Sequence, residues 1–258
     1  MSWFEAIILG LLQGLTEFLP VSSSGHLEIA KALFGIETGD ISFEIVVHAA
    51  TVLSVIVVFW KDIVKLLEGL FKFKFNEETK YILLLILSMI PVFIVGVFFK
   101  DKVEALFGSG LKVVGGALCV TAALLAFSQV YKPKQKDINW WRALVIGCAQ
   151  AIAVIPGLSR SGSTIATGLI CGAKRSEITR FSFLMVLVPI LGEAFLDLVG
   201  GGFAASSVGA LPLMLGFIAA FFSGLFACKA MIALVKKASL GWFAIYCAIV
   251  GILCIVLS

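Results

Sequence analysis

At 60% hydrophobic and 14% charged residues over 258 positions, with a mean hydropathy of +1.10, the composition excludes an ordinary soluble domain and points to an integral membrane protein. The net charge of +4 is then a question of which loops hold the basic residues, and no nucleic-acid partner is expected. Six cysteines sit in apolar segments without ligand spacing, so neither a disulfide framework nor a zinc site is indicated.

The start, Met1-Ser-Trp-Phe-Glu, lacks a basic leader region, so the N-terminus is expected to stay in the mature protein. Residues 2–19 and 24–34 are apolar, yet each is short for a membrane span, and Pro20 with Ser22, Ser23 and Ser24 separates them. This reads as a re-entrant helical hairpin whose tip lines a polar cavity, because irregular backbone at membrane depth must face water or protein. A first full span is expected at 43–60, followed by a charged loop at 61–80. Spans at 81–99, with Pro91 as a kink, and 111–130 come next. A second broken pair, 141–154 and 161–173, is split by Pro156-Gly-Leu-Ser-Arg160. Spans at 181–199, 208–229 and 240–257 close the chain, with an uncharged turn at 200–207. The many phenylalanines are expected to pack or to face lipid, and some to line a groove for an apolar tail.

If both hairpins leave on the side they entered, one face collects the basic residues of 61–80, 132–142, 174–180 and 229–237, fifteen of twenty. That bias puts this face in the cytoplasm, the first hairpin entering from outside and the second from inside. The expected fold is therefore an all-α polytopic membrane domain, six transmembrane helices plus two re-entrant hairpins, arranged as an inverted-topology repeat with halves at about 1–130 and 131–258.

The two tips repeat one design. Gln13-Gly-Leu-Thr-Glu-Phe-Leu-Pro-Val-Ser-Ser-Ser-Gly-His26 is echoed 137 residues later, Gln150 matching Gln13, Ser159 matching Ser22, Ser161 matching Ser24 and Gly162 matching Gly25. Each serine cluster precedes a helical segment, so two helix N-termini with unpaired N–H groups converge as an anion site. Arg160, between Ser159 and Ser161 and ahead of Ser163 and Thr164, adds a planar fork suited to phosphate oxygens. Gln13 and Glu17 lie one turn apart on one helix face, and a lone carboxylate at membrane depth needs a cation or a proton. A divalent metal such as Mg²⁺, held by Gln13 and Glu17 and bridging to a diphosphate, meets that need. His26, in the first turn of the next helix, is a candidate acid or base.

Both signatures resemble those of the bacterial undecaprenyl-diphosphatase family, the bacitracin-resistance type: the stretch Gln13 to His26 is similar to the first, and Pro156 to Thr164 to the second. The similarity runs over the whole chain. It implies a phosphatase of the bacterial plasma membrane that converts undecaprenyl diphosphate, a prenyl diphosphate lipid, to the monophosphate and so recycles the carrier for peptidoglycan. It also implies dependence on Mg²⁺ or Ca²⁺. Gln13 and Glu17 map onto the family's acidic motif, with Gln13 in place of a carboxylate. Ser23, His26 and Arg160 map onto its functional serine, histidine and arginine, and Ser159, Ser161, Ser163 and Thr164 match the second motif.

Plainer readings stand beside these. Ser22 and Ser24 are caps as readily as phosphate ligands. His48, a turn into the first span, either extends the cavity or packs as a satisfied histidine, and Glu193 with Asp197 is expected to serve the water-facing end of its helix. Broken helices in an inverted repeat also build ion-coupled transporters or a flippase for the lipid carrier. Against these, Ser23, His26, Glu17 and Arg160 supply a nucleophile, a base and a clamp. Attack by Ser23 with His26 as its base is expected over direct attack by water, in a cavity opening to the outer face.

Overall fold

The computed structural model describes residues 1–36, 42–106, 110–131, 135–200, 208–237 and 239–258. These residues form helices throughout: α1 (Trp3–Glu17), α2 (Ser23–Phe34), α3 (Ser42–Val58), α4 (Trp60–Leu70), α5 (Glu77–Phe98), α6 (Lys100–Glu104), α7 (Leu111–Val130), α8 (Trp140–Ile152), α9 (Arg160–Ile170), α10 (Arg175–Leu184), α11 (Leu187–Gly200), α12 (Ala210–Lys237) and α13 (Gly241–Leu257). Three of them, α5, α7 and α12, are long and apolar enough to cross a membrane, and the bent pair α3 and α4 makes a fourth if taken as one span. Helix α13, at 17 residues, is apolar but shorter. Isoleucine, phenylalanine and valine side chains stand exposed along the outer faces of α5 and α13, among them Ile90, Phe93, Ile249 and Val256, as lipid contact requires.

The expected loop at 61–80 is mostly helix. The chain turns through 75° at Phe59 and continues as α4, whose apolar stripe buries Leu66 while its other faces stay largely exposed. The expected span at 181–199 is likewise two helices. Pro189, in the first turn of α11, lacks the N–H that would bond to the carbonyl of Met185, so the ladder breaks at 185–186. In contrast, α5 runs on through Pro91. Of the turn expected at 200–207, Gly200 closes α11 and residues 201–207 lie outside the described residues, as do residues 37–41 and the side chains of Glu193 and Asp197.

Caps begin and end the short helices that carry the tips. Ser2 and Glu5 form a reciprocal capping box at α1, Asn139 caps α8, and Gly35 ends α2 in the left-handed conformation at φ 64°. Helix α1 lies along α12 and α8 lies along α5, while α7 pairs with α13. Small residues allow these contacts. A Cβ on Gly10 would meet the Gly216 carbonyl at 2.4 Å, and one on Gly147, 137 positions later, would meet the Ser88 carbonyl at the same distance. One apolar cluster surrounds the tips and includes Phe18, Val21, Leu118, Ile146, Ile165 and Phe183. Another joins α1, α2, α3 and α12 through Leu9, Leu27, Phe43 and Ala220. Charged side chains pair, Arg180 with Asp62 at 2.8 Å and Lys174 with Asp137 at 2.5 Å.

Candidate active site

The two tips touch. Ser161 donates its hydroxyl to the Leu19 carbonyl at 2.9 Å, and a Cβ on Gly25 would lie 3.0 Å from the Cα of Gly157, so the backbones approach to a distance only glycine permits. Gly157 itself sits at φ 89° with its missing side chain aimed at the Val114 carbonyl. Ser22, at the N-cap of α2, has φ 68° and ψ 100°, a strained conformation for a residue with a Cβ, and such strain is characteristic of functional turns. Its hydroxyl oxygen accepts the N–H of Gly25 at 3.2 Å, as that of Ser159 accepts the N–H of Gly162 at 3.0 Å, so both tips are capped in the same way. A bond from the Ser159 N–H to Thr121 Oγ1 at 3.0 Å fastens the second tip to α7.

Glu17 is the hub. This buried carboxylate accepts from the Gln13 side-chain amide at 2.9 Å and from the Ser23 hydroxyl at 2.5 Å, both at Oε2, while Oε1 pairs with the Arg160 guanidinium from the other half of the chain. The counter-charge that a buried carboxylate requires is therefore supplied first by Arg160, 143 residues away. A recess beside this pair is walled by Phe18, Ser161, Ser182, Phe183 and Val186.

Ser23 and His26 do not form the expected dyad here. The serine proton points to Glu17, and both nitrogens of His26 are engaged elsewhere: Nδ1 donates to the Ser22 carbonyl at 2.7 Å and Nε2 lies 2.7 Å from the Tyr246 hydroxyl. A carbonyl only accepts, so Nδ1 carries the proton, and in the neutral ring Tyr246 is the donor to Nε2. The two rings also lie nearly parallel, 9° apart with centroids at 5.6 Å. Tyr246 is absent from the residues expected on sequence grounds, although a hydroxyl in the otherwise apolar helix α13 is itself a signal.

The expected phosphate-binding residues divide by what they touch. Ser22 and Ser159 cap, Ser161 ties tip to tip, and Ser24 lies 3.3 Å from Ser22. Thr164 donates to the Arg160 carbonyl at 2.9 Å and lies 2.6 Å from Ser182, facing its own helix and α10. The Ser163 hydroxyl and both amide atoms of Gln150 are buried without a hydrogen-bond partner among the described residues. His48 belongs with the hub: its Nε2 is 3.6 Å from Glu17 Oε2.

Gln13 Oε1 is a buried acceptor with no hydrogen-bond partner among the described residues, an oxygen that water or a metal would satisfy, but the amide atom that faces Glu17 Oε2 is the nitrogen, so Gln13 and Glu17 would hold one cation together only with that amide turned over. What the arrangement can do chemically is present a polarised hydroxyl, Ser23, beside a guanidinium and an incomplete set of oxygen ligands.

A family described as bacitracin resistance protein BacA matches residues 6–253, a range that includes both tips. The chain is 60% identical over 263 residues to an undecaprenyl-diphosphatase of Bacteroides fragilis, covering 100% of this chain and 99% of the relative. It is 61% identical over 260 residues to one of Parabacteroides distasonis, covering 99% and 98%. Similarity persists at 39% over 272 residues with an undecaprenyl-diphosphatase of Methanosphaera stadtmanae, covering 98% and 97%.

Proposed function

The chain belongs to the bacitracin resistance protein BacA family, and from that premise we propose that it hydrolyses undecaprenyl diphosphate to the monophosphate and phosphate. The reaction recycles the lipid carrier for peptidoglycan synthesis in the plasma membrane and confers bacitracin resistance. The observation that carries the chemistry is the 2.5 Å bond from the Ser23 hydroxyl to a carboxylate that also holds Arg160.

Ser23 Oγ attacks the terminal phosphorus and its proton passes to Glu17 Oε2, while the bond to the bridging oxygen breaks and undecaprenyl phosphate leaves. Arg160 turns from Glu17 to the phosphoryl oxygens as negative charge redistributes, and the N–H groups at the start of α2 and α9 hold the same oxygens. Water then attacks the phosphoserine, His26 Nε2, released by the Tyr246 hydroxyl, takes the water's proton, and Glu17 returns its own to the departing Ser23 oxygen. When bound, a divalent cation would be held by Glu17 and the Gln13 amide oxygen, and would neutralise charge on the diphosphate.

The topology we adopt is six spans and two re-entrant hairpins in one membrane domain, an inverted repeat with its cavity open to the outer face. Helix lengths support the hairpins: at ~1.5 Å per residue α1, α2, α8 and α9 extend about 17 to 22 Å, short of a hydrocarbon core of about 30 Å, while α10 and α11, each also short, make one of the six spans only together. The pairing of α1 with α12 and of α8 with α5, with Gly10 and Gly147 at equivalent contacts, supports it as well.

The test is phosphate release from undecaprenyl diphosphate by purified protein in detergent, with Arg160→Ala as control and with excess chelator. Release that depends on Arg160 and on the metal is expected. No release by the wild type, together with movement of a prenyl phosphate across liposomes, would replace hydrolysis by transport.

A further inference from the structure

We propose that α4 and the turn after it, residues 60–75, form an in-plane anchor seated in the headgroup boundary of the membrane, where it takes anionic phospholipid in preference to zwitterionic. At about 100° per residue the positions of α4 fall on three faces. Asp62, Leu66 and Gly69 face the protein: Asp62 pairs with Arg180, Leu66 is buried, and a Cβ on Gly69 would meet Glu78 of α5 at 2.3 Å. Trp60, Leu67 and Phe71 share a second face and are 58%, 45% and 68% exposed. Lys61, Lys65 and Glu68, all exposed, make a third face beside it. One helix thus carries a packed face, a bare apolar face and a charged face.

The turn extends the pattern in Phe71-Lys72-Phe73-Lys74-Phe75, with Phe73 90% and Phe75 73% exposed. It is a built turn. The Asn76 side-chain amide donates to the Gly69 carbonyl at 2.8 Å, the Thr79 N–H to Asn76 Oδ1 at 2.7 Å, and the Thr79 hydroxyl to the Lys74 carbonyl at 3.0 Å. Phe73 itself is held at φ 49°, a left-handed conformation that a bulky residue seldom adopts. A single exposed apolar side chain is ordinary, but a run of them fixed along one helix and its turn is a contact surface. The occupant follows from geometry and charge. With α3 set across the membrane, the 75° turn at Phe59 lays α4 close to the membrane plane, level with the headgroups. Aromatic and leucine side chains then enter the acyl boundary while the lysine stems reach back to the lipid phosphates. Lys65 lies 3.7 Å from Glu78, whereas Lys61, Lys72 and Lys74 have no carboxylate partner among the described residues. Three unpaired ammonium groups beside an apolar face complement a headgroup of net negative charge and gain little from a zwitterionic one.

The experiment places a bimane fluorophore on Phe73→Cys in the full chain with its six native cysteines replaced, and on Phe75→Cys as a second exposed position in the same turn. Glu68→Cys reports the charged face. The protein is reconstituted in vesicles of equimolar phosphatidylcholine and phosphatidylglycerol, with one lipid or the other brominated on its chains, and aqueous iodide is the opposing quencher. Bromine should quench at 73 and 75 and iodide should not, with the reverse at 68. Brominated phosphatidylglycerol should quench more than brominated phosphatidylcholine by about twofold, a ratio that falls to unity in high salt and in Lys61→Gln/Lys72→Gln/Lys74→Gln. Quenching at 73 and 75 by iodide in place of bromine puts the turn in water and overturns the proposal. Shielding from both quenchers puts a protein surface over the turn, a second copy included, and overturns it as well. Equal quenching by the two lipids, or a preference that survives loss of the three lysines, overturns the choice of anionic lipid.

Discussion

Glu17, the last residue of α1, and Arg160, the first of α9, form an ion pair that joins the two tips of the molecule, and the same carboxylate accepts the Ser23 hydroxyl. The link between the halves and the polarisation of the serine are therefore one interaction.

Arg160→Ala should lower the chemical step by about 10³-fold, because the guanidinium is most valuable as charge redistributes in the transition state. It should also destabilise the protein by about 3–5 kcal/mol, since Glu17 is left buried and uncompensated. The double variant Glu17→Gln/Arg160→Ala should recover most of that stability and none of the activity. Arg160→Lys should remain well below wild type, because a point charge lacks the fork. Melting in detergent and initial rates check both statements; a fully active lysine variant argues against bidentate contact.

Brief reaction with terminally labelled substrate, acid quench and peptide mapping should find phosphate on Ser23, most readily in His26→Gln, which slows the second step. Ser23→Ala should be inactive. Turnover without trapped phosphate, combined with an active alanine variant, means direct attack by water.

Tyr246→Phe removes one hydrogen bond to His26 Nε2 while keeping the ring stack. A bond worth about 1 kcal/mol corresponds to roughly a fivefold fall in kcat, with KM little changed. Tyr246→Ala, which loses the stack too, should fall further. Equal rates in Tyr246→Phe and wild type would remove this tyrosine from the positioning of His26.

Gly10→Ala and Gly147→Ala should each destabilise by about 1–3 kcal/mol, because the added methyl meets a backbone carbonyl of the partner helix that has little room to move. Gly96→Ala, in α5 with nothing within 4 Å of its added Cβ, should be neutral or slightly stabilising. Thermal melts of the three variants in one detergent give the comparison, and a costless Gly147→Ala would contradict the tight α8 and α5 contact.

An Ile36→Cys variant, in a background with the six native cysteines replaced, should react with a membrane-impermeant maleimide in intact cells. Ile36 follows α2 at the end of the first hairpin, on the face that the charge count puts outside. Labelling only after the cells are opened inverts the topology.

Much of the site is legible in the amino-acid sequence by itself. Gln13, Glu17, Ser23, His26 and Arg160 stand out because polar side chains in an apolar chain are costly, and the 137-residue echo marks two tips of one design. Membrane character and the caps at Ser22 and Ser159 follow from composition and from the local chemistry of a serine before a helix, which needs only residues three positions away. The bend at Phe59 does not show in the sequence pattern, since an apolar run reports burial in lipid without reporting where its axis bends; the break at 185–186 has a local cause in Pro189, yet α5 runs on through Pro91, so a proline by itself does not say which helix parts. Which groups meet across the tips is decided only by packing. Ser23 leans on Glu17 while His26 turns to Tyr246, 220 residues away, and His48 comes to Glu17 from another helix. Helical periodicity ranks neighbours three and four residues apart, whereas these contacts depend on the close approach of α1, α3, α9 and α13, set by small residues whose fit exists only in three dimensions.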